Sequence, residues 1–75
     1  MKLIRLTSIE KRAIAIVADE VLSIEKGDYL DFALEQKYNF RERPTRVLLK
    51  HYNYVYVVRE DFETVYALMK GVDDE

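Results

Sequence analysis

The sequence predicts a small α+β domain: a twisted antiparallel sheet of four or five strands, able to curl toward a barrel, with a C-terminal helix packed on it. Three observations carry this. Arg46–Lys50 and Tyr54–Val58 are apolar, β-branched runs joined by His51-Tyr52-Asn53, where asparagine suits a tight hairpin turn. Phe62, Val65, Tyr66 and Met69 fall at i, i+3, i+4 and i+7, an apolar helical stripe. The chain has only 75 residues, which allows one domain near the lower limit for a core without staples.

Leu3–Leu6 reads as a first strand, with Leu3 and Arg5 on one face and Ile4 and Leu6 on the other. Residues 7–26 admit two readings. As a helix, Thr7-x-x-Glu10 is a capping box and Gly27 follows the last turn. As strands, Ala13–Val17 and Val21–Glu25 flank a turn at Ala18-Asp19-Glu20, with Leu22 and Ile24 inward. Three alanines favour the helix and five β-branched residues favour strands.

Residues 27–44 read as a variable insertion. Tyr29–Leu34 alternates like a strand, or opens a helix capped by Asp28 that must end before Pro44. In the C-terminal helix Asp61 is the expected N-cap and Gly71 the expected stop, with residues 72–75 frayed.

Composition excludes several classes. There is no cysteine, so neither a disulfide nor a cysteine zinc site forms. The longest uncharged run, His51–Val58, is far too short to span a membrane, as is the apolar run Ala13–Ala18. Cytoplasmic residence without membrane association is the expectation. His51 is the lone histidine, and no nucleophile, phosphate loop or metal spacing accompanies the carboxylates. No enzyme, cofactor or metal site is therefore expected.

Charge is blocky. Residues 18–36 carry six acidic and one basic side chain, whereas residues 37–51 carry five basic and one acidic. In the basic block, Lys37, Tyr38, Phe40, Arg41, Arg43 and Arg46 interleave cations with aromatics, and Tyr52, Tyr54 and Tyr56 follow at hairpin spacing. The tyrosines are expected on one strand face, with Val55 and Val57 on the core face. These nine residues are the candidate contact surface. The first expectation is a protein partner, with self-association into a homo-oligomer favoured by complementary charge blocks. The alternative is a nucleic-acid-binding module using residues 37–56, because arginine forks onto phosphate and tyrosine stacks on bases. The bland alternative is that the arginines neutralise the acidic block. A further reading takes residues 8–39 as two helices of a winged-helix DNA binder with 46–58 as the wing; the acidic balance of 18–36 opposes it.

Met1–Thr7, Ala13–Asp19, Val21–Glu25, Val55–Glu60 and Phe62–Val65 together resemble the small FlbD-type flagellar proteins and related small accessory proteins. The resemblance implies strands across residues 11–26, a hairpin, a closing helix and a regulatory or accessory role in a bacterium or phage. It supplies no catalytic residue. The chain departs from the family at Val17-Ala18, at Tyr52-Asn53 and across residues 26–44, which the family lacks.

Overall fold

The computed structural model describes residues 2–51 and 54–73. The order is β1 (Leu3–Thr7), β2 (Ala13–Val17), a 3-10 turn (Ala18–Glu20), β3 (Val21–Lys26), α1 (Phe32–Tyr38), β4 (Thr45–Leu49), β5 (Val55–Val58) and α2 (Phe62–Asp73). The α+β class holds. The single sheet does not: β1 and β2 form one antiparallel pair, and β3-β4-β5 form a separate antiparallel sheet. Neither closes into a barrel. The two meet at a corner where Ser8 bridges Val58, Ile9 N–H donates to Val57 O, and Arg59 N–H donates to Thr7 O.

Strand pairing wins over the helix in residues 7–26 because it gives β-branched side chains one apolar face. Leu6 opposes Ile14 and Ile4 opposes Ile16, and of these Ile4, Leu6 and Ile16 are buried. The capping box goes unused, since Thr7 N–H donates to both carboxylate oxygens of Glu60 at 2.9 Å. The turn is closed instead by Ser8 N–H on Arg12 O at 2.8 Å, with Lys11 in the left-handed region at φ 67°. These strands also remove the winged-helix reading.

Leu22 corrects the expected facing of β3. Val21 pairs with Leu49 and Ser23 with Leu48, so Leu22 is the extra residue of a bulge. The bulge moves Val21 onto the face of Ile24, where both pack on the core, and leaves Leu22 64% exposed.

The facing of β5 is also corrected. Val58 is fully buried and Tyr56, two residues before it, packs against the core, so the tyrosine face is the inward one. Gly27 is no helix stop. Its N–H donates to Pro44 O at 2.8 Å, and a Cβ there would lie 3.1 Å from that oxygen, so glycine permits the close approach.

The core comprises Ile4, Leu6, Ile16, Val47, Val58 and Val65, drawn from both sheets and α2. From the stripe of α2, Val65 is buried and Met69 packs on the core, whereas Tyr66 is half exposed and stacks on Phe62 at 6.2 Å. The helix passes through Gly71 to Asp73 rather than stopping there. Asp61 caps it as expected, accepting Thr64 N–H at 2.8 Å. Hydrogen bonds from the Thr64 side chain and then from its N–H favour the ionised carboxylate and hold its pKa below the ordinary 3.8.

Candidate interaction surface

The helix of residues 32–38 begins one turn later than Asp28 would place it. Asp31 is the cap, accepting Leu34 N–H at 2.9 Å, and Asn39 ends the helix in the left-handed region at φ 52°. The return chain then lays the basic segment beside the acidic one. Arg41 Nε lies 3.4 Å from Glu35 Oε1. Arg43 Nε donates to Gly27 O at 2.7 Å, with its guanidinium 3.9 Å from Asp28 and 6.0 Å from the Tyr29 ring. Arg46 pairs across the β3–β4 ladder with Glu25 at 3.1 Å. All three arginines thus face carboxylates of the acidic block within one molecule, which weakens the field they offer to phosphate or to another acidic surface.

The aromatic members separate. Phe40 is buried beneath the guanidinium of Arg59, 4.8 Å from its ring. Tyr38 lies at the end of α1 with Lys37 Nζ 5.3 Å from its ring. Tyr56 of β5 and Tyr54, just before that strand, meet edge to face at 4.7 Å. Tyr52 lies outside the described residues. Tyr54 and Tyr56 line a groove of about 310 Å3 with Ser8, Ile9, Arg12 and Ile14. None of the residues selected from 37–46 lines it.

Charge patterning missed the most exposed apolar side chains. Helix α1 buries none of its residues, Phe32 is 77% exposed, and the preceding Tyr29 is 68% exposed. A signal was present: Phe32 is followed at i+3 and i+4 by Glu35 and Gln36, so this helix has no apolar stripe to bury.

His51, exposed in its turn, lies 3.5 Å from Glu20 Oε2, a buried oxygen with no hydrogen bond among the described residues. Among those residues no group of three or more His, Cys, Asp or Glu is placed to hold a metal ion, and no helix is long and apolar enough to cross a membrane.

The class these features define is a small α+β protein with two antiparallel sheets meeting at a corner and two exposed aromatics, Tyr29 and Phe32, at the start of a short helix. No protein-family model, curated protein or solved structure matches the chain.

Proposed function

We propose that this chain is a small, non-enzymatic interaction protein of the cytoplasm that acts by binding another protein, working as a homo-oligomer. The observation that carries the reading is α1. A seven-residue helix is marginal by itself, and this one buries no side chain while presenting Phe32 with Tyr29 beside it. Large aromatics beside arginine are the side chains that dominate protein interfaces, and Arg43 stands next to Tyr29. The likeness to FlbD-type accessory proteins favours the same kind of role.

The test is a photo-crosslinking amino acid placed at position 32 of the chain in its native cells, with exposed Ala67 as the control position. The expected result is a discrete adduct with a different protein from position 32 and none from 67. Titration against random-sequence DNA and RNA at low and near-physiological salt runs beside it. Binding that collapses with salt and requires Arg41, Arg43 and Arg46, without an adduct at 32, would transfer the function to the nucleic-acid alternative.

A further inference from the structure

The geometry points to β2 as a self-pairing edge: two copies of the chain join antiparallel through Ala13–Val17, making one four-stranded sheet β1-β2-β2-β1 across a two-fold axis at Ala15. This deepens the homo-oligomeric part of the proposed function by naming its surface.

The ladder alternation defines the free groups. Ser8 N–H donates to Arg12 O and Ala18 N–H donates to Lys2 O, so residues 12, 14, 16 and 18 bond toward β1. Ala13, Ala15 and Val17 therefore turn their N–H and C=O groups to the opposite edge. Among the described residues β1 is the only strand paired with β2, and Ala13 and Ala15 are exposed.

That edge lacks the usual safeguards. Unpaired strands are normally protected by a charge, a proline or a bulge. Of the two outer strands of the other sheet, β3 has two of these, the Leu22 bulge and the closing Glu25-Lys26, and β5 is met along its outer edge by Ser8 at Val58 and by Ile9 N–H at Val57 O. Across Ala13-Ile14-Ala15-Ile16-Val17 there is no charge, no proline and no register break.

Charge selects a second copy as the occupant. Lys11 and Arg12 precede the strand, and Asp19 and Glu20 follow it. In a two-fold register centred on Ala15, Ala13 opposes Val17 and the basic start of each copy meets the acidic end of the other. Lys11 and Asp19 are both exposed, and neither has an ion pair among the described residues. A parallel pairing would instead set like charges together at both ends.

Sedimentation over micromolar to millimolar concentrations should show a reversible dimer. Ala15→Pro removes one outward N–H while leaving the β1 ladder intact, and should give a monomer with an unchanged circular dichroism spectrum. Lys11→Glu should weaken the dimer about tenfold, and adding Asp19→Lys to it should restore wild-type association. This swap decides the matter even if Ala15→Pro fails to fold. In Ala15→Cys, the only thiol of the chain faces its copy at about 5.5 Å between Cα atoms, within disulfide range, so mild oxidation should give a covalent dimer. A monomer throughout the range, or a dimer indifferent to both the proline and the charge swap, overturns the assignment. Crosslinking at position 32 reports separately. A monomer that still captures another protein there loses the β2 surface and keeps the interaction reading, and a β2 dimer that captures nothing does the reverse.

Discussion

Arg59 lies over Phe40, its guanidinium carbon 4.8 Å from the ring centroid, and its donors reach three backbone carbonyls. Nη1 donates to Ile9 O at 3.1 Å and Tyr38 O at 3.0 Å, and Nη2 to Asn39 O at 3.1 Å. One side chain thus ties the β1–β2 turn, the end of α1 and the end of β5. Arg59→Ala should lower stability by about 2 kcal/mol, combining the cation–π loss with the carbonyls left without donors. Arg59→Lys should recover only part of this, because an ammonium lacks the planar fork. Urea denaturation measures both, and equal stability of the lysine variant and wild type would contradict the three-carbonyl clamp.

The bulge in β3 makes two leucines opposites. Leu6 is 2% exposed and Leu22 is 64% exposed. Leu6→Ala should cost about 3 kcal/mol through lost burial and a residual cavity. Leu22→Ala should fall within about 0.5 kcal/mol of wild type. Thermal melts compare them, and similar losses would mean that Leu22 faces inward after all.

Thr45 is fully buried, and its hydroxyl donates to Glu60 O at 2.7 Å. Thr45→Val keeps the shape and removes that donor. The expected loss is about 1–2 kcal/mol from the carbonyl left unsatisfied. A chemical-denaturation midpoint equal to wild type would show that the carbonyl finds another partner.

The Asp61 cap has a defined pH signature. Its carboxylate is held below the ordinary 3.8 by the bonds from Thr64, so the folded state binds its proton less readily than the unfolded chain. Its contribution is complete above the unfolded value and is lost as pH falls through the lower folded value. Asp61→Ala should therefore be less stable than wild type at neutral pH, and the gap should narrow as the pH falls below about 4. Melting curves from pH 7 to pH 2 follow it; a gap independent of pH would assign the effect to helix propensity instead.

Local signals carried the C-terminal half. The β4–β5 pair, the Asp61 cap and the burial of Val65 follow from β-branched runs, capping chemistry and helical period, all readable within a few residues. The middle was less legible because its deciding partners are remote. Helix and strand compete evenly over residues 7–26 until Glu60, 53 residues away from Thr7, takes the N–H that a capping box would use. The candidate surface divides for the same reason: Phe40 looked available for contact, and Arg59 covers it.

By itself the sequence determined the α+β class, the strand runs of β1, β4 and β5, the closing helix and the order of opposite charges on either side of Ala13–Val17. These depend on side-chain branching, period and order along the chain, which are local properties. The tertiary structure alone decided the division into two sheets, the inward turn of Tyr56, the exposure of Leu22 and the pairing of Arg41, Arg43 and Arg46 with Glu35, Asp28 and Glu25. A strand has two faces one residue apart, so a single bulge or corner reverses what is buried, and only the packed neighbours select between them.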